Sequence, residues 1–236
     1  MIEETCQIQI MEVVKRYQYR PVLDHLSLTL AKGDFCVLVG ANGAGKTTLL
    51  RILASLVRPD CGEILIGEPG AALIPETRKL IGYVGHETMF YQDLSAMENL
   101  QHYARLYRLP ALEKAITDKI NAVGLADYGD QPVRTYSRGM QQRLSIARVL
   151  IQNPAIYLLD EPYTGLDQEA AHWLDNQLQQ LQQQRNTILL AAHRPQRLLP
   201  YATHITMLED GQISLHLPVE ALADHPRLHH YLQEAA

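Results

Sequence analysis

Phe35-Cys-Val-Leu-Val-Gly40-Ala-Asn-Gly-Ala-Gly45-Lys-Thr-Thr48 is the stretch on which the reading of this chain turns. Phe35 to Val39 is a short apolar run bounded by glycine and reads as a buried strand. Gly40 to Thr47 fits the pattern G-x-x-x-x-G-K-[ST]. Gly40, Gly43 and Gly45 let the backbone turn its N–H groups inward, and Lys46 brings a fixed positive charge. The loop feeds a helix N-terminus, where unpaired N–H groups and the helix dipole favour an anion. Thr47 offers a hydroxyl to the Mg²⁺ that accompanies a nucleotide triphosphate. Leu49, Leu50, Ile52, Leu53 and Leu56 lie at helical spacing and predict an apolar stripe under that helix. The pattern alone also describes a glycine-rich turn with a chance lysine. The strand before it and the helix after it are the context that phosphate binding demands.

The bulk properties narrow the classes. The chain has 236 residues, 47% hydrophobic and 20% charged, which suits one α/β domain, residues 1–236, with a lobe inserted. A formal net charge of −5 and the absence of a basic block argue against nucleic acid as a partner. Cys6, Cys36 and Cys61 form no C-x-x-C pair and suit a reducing compartment. No run approaches the ~20 apolar residues that span a bilayer, and Met1-Ile-Glu-Glu-Thr lacks the order of a signal peptide. The expectation is a soluble, cytoplasmic protein whose membrane role comes through a partner.

Around the glycine-rich loop the pattern alternates between strands and helices. Ile8 to Val14, Leu26 to Leu30 and Glu63 to Ile66 read as strands, with a turn at Ala31-Lys-Gly-Asp. Tyr17 and Tyr19 are expected in the loop after the first strand, either as exposed tyrosines or as an aromatic face for an adenine ring. Ile81 to Gly85 is a short strand ending at His86. Residues of about 88–152 turn helical, with Leu94, Met97, Leu100, Tyr103, Ala104 and Leu106 on one face and a break at Pro110. Ser137 and Gly139 stand where a further helix starts, as a simple N-cap or as a second anion site.

Ala155 to Leu159 is a hydrophobic strand that ends in Asp160 and Glu161. An ATPase needs such a pair beside its phosphate loop: Asp160 to hold Mg²⁺, Glu161 to orient or deprotonate water. The bland alternative is a solvated acidic turn. Gln168 to Arg185 reads as an amphipathic helix with Ala171, Leu174, Leu178 and Leu181 inward. Thr187 to Ala192 is a buried strand ending at His193, expected parallel to the strand of Asp160, so that both ends face one crevice. Glu209-Asp-Gly between two apolar runs signals a hairpin. His225, His229 and His230 follow in a tail read as a short helix with surface histidines.

Phosphate loop, Tyr136-Ser-Arg-Gly-Met, Asp160-Glu161-Pro and a late histidine, in that order, resemble the ATP-binding subunit of an ABC transporter over nearly the whole chain. The resemblance implies a P-loop ABC-type α/β fold: a core parallel sheet, an N-terminal antiparallel β subdomain and an inserted helical lobe. It implies that Gly40, Asn42, Gly43, Ala44, Gly45, Lys46, Thr47 and Thr48 bind ATP and that Tyr17 stacks on the adenine. It makes Tyr136 to Met140 the signature, Thr164-Gly-Leu-Asp167 the loop after the catalytic carboxylate, and His193 the switch histidine. Mg²⁺ would sit with Thr47 and Asp160, and catalysis would fall to Glu161, His193 and Lys46.

In that family Ser137 and Gly139 of one subunit face the nucleotide of the other. A homodimer or a pair with a similar chain is therefore implied, held on the cytoplasmic face of the membrane by an integral permease. Arg138 and Met140 depart from the usual Gly and Gln of the signature. His86 stands where a glutamine usually reaches towards the metal, and is carried over as a metal-site residue in that sense. Tyr83-Val-Gly-His86, Leu94-Ser-Ala-Met-Glu-Asn-Leu100 and the signature region resemble the haem-exporter ATP-binding proteins of cytochrome c maturation. The rivals are an exporter ATPase for a drug, lipid or polysaccharide, and a soluble ABC-type ATPase acting on ribosomes or DNA. The second usually carries two cassettes, a long coiled coil or basic extensions, none of which is seen here.

Overall fold

Two sheets build the first of two compact units, which takes the residues up to Tyr83, Ala155–Glu161 and those from Leu178 on. The structure, a computed structural model, describes residues 6–67, 72–73, 75–109 and 113–225; Pro110, His229 and His230 lie outside them. Strands β1 (Cys6–Tyr17), β2 (Arg20–Ala31) and β4 (Cys61–Ile66) form an antiparallel sheet in the order β2-β1-β4. Tyr17 is the last residue of β1, not part of a loop. The chain reverses in two residues, Gln18 and Tyr19, both with positive φ (48 and 68), as a tight hairpin turn requires.

The larger sheet comprises β3 (Phe35–Val39), β5 (Ile81–Val84), β6 (Ile156–Asp160), β7 (Thr187–Ala191), β8 (His204–Glu209) and β9 (Gln212–Pro218). Their order is β5-β6-β7-β3-β8-β9, with β6, β7, β3 and β8 parallel and β9 antiparallel at the edge. Every residue of β3, β6 and β7 is buried, the mark of strands covered on both faces. Asp210 and Gly211 make the β8–β9 turn, both with positive φ. Helix α1 (Lys46–Leu53) buries Leu49, Leu50, Ile52 and Leu53 in the core. Leu56, expected on the same stripe, is 48% exposed: the helix stops at Leu53 and Ser55 turns left-handed. A short helix, α2 (Pro75–Arg78), precedes β5.

The second unit takes Val84–Pro154 and Pro162–Gln177. It holds α3 (Ala96–Leu106), α4 (Glu113–Ala122), α5 (Arg138–Gln152) and the first part of α6 (Gln168–Gln183). The lobe expected over about 88–152 is thus joined by a later segment, because Trp173 of α6 packs against the same core as Leu100, Ile120 and Leu144. Ser95 and Glu98 form a reciprocal capping box at the start of α3. Asn99, fully buried, accepts from Tyr91 N at 2.9 Å and donates to the carbonyls of Tyr91, Leu94 and Ser95, closing the turn before the helix. Arg148 is also buried, its guanidinium 5.0 Å from the Tyr103 ring and 5.8 Å from that of Phe90. Leu106 is 61% exposed, against expectation. It lies six residues beyond Leu100, about 120° round the helix from the buried face. Among the described residues no helix is long and apolar enough to cross a membrane.

Two side chains of the first unit yield stability tests. The Tyr157 hydroxyl is buried without a partner, and burial pushes its pKa up to about 12. Replacing Tyr157 with Phe removes an unsatisfied group, so the thermal midpoint is expected to hold or rise, by up to about 1–3 kcal/mol of stability. Near the sheet edge His216 stacks on His204, with centroids 5.1 Å apart, and meets Thr206 Oγ1 at 2.7 Å. Burial first, then the neighbouring His204, lowers its pKa from 6.5, while Asp34 opposes. Above 6.5 the ring is neutral folded and unfolded. As the pH falls through that value the unfolded chain takes up a proton that the folded ring refuses, so stability declines. The variant His216→Gln should lose stability less steeply in pH-dependent denaturant melts below that point.

Candidate nucleotide site

The glycine-rich loop is held between two strands of its own unit. A Cβ on Gly40 would lie 2.3 Å from the carbonyl oxygen of Leu208 on β8. One on Gly45 would lie 2.7 Å from Val22 O and 2.8 Å from Leu23 Cδ2 on β2. Both positions carry positive φ, 151 at Gly40 and 110 at Gly45, so side chains are excluded there twice over. Gly43, at the tip, has open space around it. Gly45 is the N-cap of α1, and Lys46 and Thr47 are the first two residues of that helix.

Lys46 is 6% exposed. Its Nζ donates to Gly40 O at 2.7 Å and to Ala41 O at 3.1 Å, within the loop itself. Burial lowers its pKa from the ordinary lysine value, and the carboxylates of Glu161 and Asp160 pull it back up. A buried ammonium that already faces carbonyls and two carboxylates can exchange those acceptors for phosphate oxygens at little further desolvation cost.

Asp160 ends β6 and is 1% exposed. Glu161 follows with φ of 51, a left-handed backbone that is uncommon for a residue with a side chain. Its N–H donates to Ala191 O at 3.0 Å, tying it to the end of β7. The Glu161 carboxylate meets His193 Nε2 at 2.7 Å. The parallel pairing of β6 with β7, Asp160 opposite Ala191, brings carboxylate and histidine to one sheet edge. Hydroxyl of Thr47 and carboxylate of Asp160 are hard oxygen donors of the kind that Mg²⁺ takes.

Tyr17 ends β1 and is 46% exposed, with Lys15 Nζ 5.5 Å from its ring centre. It belongs to the same hairpin whose second strand, at Val22 and Leu23, presses on Gly45. Tyr17, Gly40 to Thr48, Asp160, Glu161 and His193 all belong to the first unit. Ser137, Gly139 and His86 belong to the second. Ser137 is exposed and caps α5 by accepting from Met140 N at 3.2 Å. Tyr136 is buried, its hydroxyl donating to Tyr128 O at 2.6 Å, which anchors the start of that helix. His86 is exposed, just after β5.

Asn99 and Gln142 stand in the stretches Leu94 to Leu100 and Tyr136 to Arg143, but their hydrogen bonds are not legible there. Gln142 donates to Pro162 O at 3.4 Å.

A phosphate loop opening a helix, with strand-end carboxylates and a histidine at the same sheet edge, defines a P-loop ATP-binding domain. The chain belongs to the ABC transporter family, whose sequence profile matches residues 23–164. It is 36% identical over 206 residues to the ABC transporter ATP-binding protein NatA of Bacillus subtilis (strain 168), covering 86% of this chain and 84% of that protein. It is 35% identical over 201 residues to the Nod factor export ATP-binding protein I of Ralstonia nicotianae, covering 84% of this chain but only 63% of that longer relative. The dimeric post-hydrolysis structure of the ATP-binding cassette MJ0796 bound to ADP and Pi superposes with a TM-score of 0.82 over 90% of this chain and 99% of that one. At 24% identity that likeness is one of fold.

Steric exclusion at Gly40 is directly testable. The change Gly40→Ala drives a methyl into a strand carbonyl, whereas Gly43→Ala meets only the strain of its φ, on the order of 1 kcal/mol. ATP binding, followed by fluorescence titration, should be abolished or weakened at least about a hundredfold by the first and by about tenfold at most by the second. Equal effects would mean that the approach of Leu208 does not set the loop.

Proposed function

We propose that this chain is the Mg²⁺-dependent ATP-hydrolysing subunit of a membrane ABC export complex. The observation that carries it is the pairing of Glu161 with His193 at 2.7 Å in the same unit as the buried Lys46. Lys46 and the loop amides from Gly40 to Thr48 hold the β- and γ-phosphates, and Tyr17 stacks on the adenine. Thr47 and Asp160 hold the metal ion, which supplies charge neutralisation on the phosphates when bound. Glu161 orients or deprotonates the attacking water, and His193 fixes that carboxylate and contacts the γ-phosphate. His86 takes the place of the family's metal-reaching glutamine.

Ser137 and Gly139 serve the nucleotide of a facing subunit, so the working form is a dimer of this chain or of this chain with a similar one. The dimeric MJ0796 cassette supports that reading. Closure on ATP and reopening after hydrolysis then drive an integral permease, with this subunit on the cytoplasmic face of the membrane. The motifs around His86, Ser95 to Leu100 and the signature support haem as cargo, in cytochrome c biogenesis. The relatives NatA and the Nod factor export protein favour a second reading, an exporter of the same type with another cargo.

One variant tests both levels. Glu161→Gln should still bind ATP, lose on the order of a hundredfold or more in hydrolysis, and run as a closed dimer with Mg-ATP in size-exclusion chromatography with light scattering. Hydrolysis at the normal rate would remove Glu161 from its role. Captured from native membranes with Mg-ATP, the same variant should retain a permease. Cytochrome c maturation proteins beside that permease favour haem, and a permease without them favours the second reading.

A further inference from the structure

The loop that leaves Glu161 is clasped at four points by helices of the second unit. On the side of α5, Gln142 donates to Pro162 O at 3.4 Å, and Gly139 lies so close to Gly165 that a Cβ on Gly139 would be 2.3 Å from the Gly165 carbonyl oxygen. On the side of α6, Tyr163 donates its hydroxyl to Asp175 Oδ1 at 2.7 Å, and Asp167 caps the helix by accepting from Ala170 N at 2.8 Å. The Asp175 side chain is only 12% exposed and also faces His172, whose Nδ1 is 4.0 Å from the other carboxylate oxygen. A buried carboxylate of this kind needs donors, and a short hydrogen bond to an ionised acceptor is among the stronger ones available.

This loop begins next to a strained residue. Glu161 has a left-handed backbone, and such a conformation persists only where its surroundings over-determine it. On one side its N–H is tied to Ala191 O. On the other comes Pro162, which has no N–H to offer, so Tyr163 is the next residue whose side chain can anchor the chain. A phenylalanine would fill the same space. The hydroxyl is there for Asp175.

We infer that Tyr163 and Asp175 form a positioning pair for ATP hydrolysis: their hydrogen bond sets the backbone that leaves Glu161 and thereby the aim of its carboxylate. Through Gly139 and Gln142 the same loop is registered against α5, the helix that Ser137 caps. The pair acts through Glu161 and touches no reacting atom, so the inference rests on the role proposed for Glu161.

The test is steady-state ATPase kinetics of the full chain, with nucleotide affinity and thermal midpoint measured alongside. Tyr163→Phe is expected to lower kcat by roughly tenfold, the scale of a modest misplacement of a reacting group, to leave nucleotide Kd unchanged, and to lower the midpoint modestly because the Asp175 carboxylate loses a donor. Asp175→Ala should lower kcat by about as much, and the double variant should lower it little further, because both changes remove the bond that the two residues share. Asp175→Asn keeps an acceptor oxygen and should regain most of the lost rate. If Asp175→Ala does not fold, Tyr163→Phe against Asp175→Asn carries the comparison. Wild-type kcat in Tyr163→Phe, additive losses, or a fall in nucleotide affinity equal to that in kcat would overturn the pair while leaving the ATPase reading intact. A wild-type chain without ATP turnover would overturn both.

Discussion

A buried ammonium is the constraint on which the first unit depends. Lys46 is almost wholly removed from water, and an ammonium there is tolerable only if its donors are taken and its charge is balanced. Gly40 and Ala41 supply carbonyls, which obliges the loop to wrap back over the lysine. Asp160 and Glu161 supply the opposing charge, which obliges β6 to end beside the loop. The wrapped loop in turn leaves no room for side chains at Gly40 and Gly45, where β8 and β2 close in. One buried charge thus goes with two positions closed to side chains and a pair of acids.

The strand order places the remaining side chain. Parallel strands send their carboxyl ends to one edge of a sheet, and ligands of such sheets bind there. With β7 between β6 and β3, the ends carrying Asp160, Glu161 and His193 lie on one side of the end that opens into the glycine-rich loop. Glu161 accepts a left-handed backbone to turn its carboxylate to His193, and a hydrogen bond from its N–H to β7 holds it in that state. Strain at a single residue is the cost of aiming that carboxylate from the end of a rigid strand.

Much of this was legible because local chemistry is written locally. Phe35 to Val39, Asp210-Gly211 and the inward face of Ala171, Leu174, Leu178 and Leu181 follow from apolar runs, turn residues and period, and the structure has them as expected. Leu56 and Leu106 were misplaced because periodicity carries no information about where a helix stops or how wide its buried face is. Tyr17 was misplaced because a two-residue turn of Gln18 and Tyr19 lacks the asparagine or glycine that usually marks one. The later segment of the second unit was missed because Trp173 reaches a core built from residues far earlier in the chain.

The sequence by itself determined the family and the glycine-rich loop between its strand and helix, and it singled out Asp160, Glu161 and His193 as candidates, since each rests on residue types at short fixed spacings. Tertiary structure alone decided that Gly139 is a contact with Gly165, that Asp175 receives Tyr163, and that Leu208 and Val22 close on the loop. Those pairs are separated along the chain by as few as 12 residues and as many as 168, and no propensity or period links their members. Only the packing of strands and helices brings them within the few ångströms at which a hydroxyl, a carbonyl or a missing Cβ has any effect.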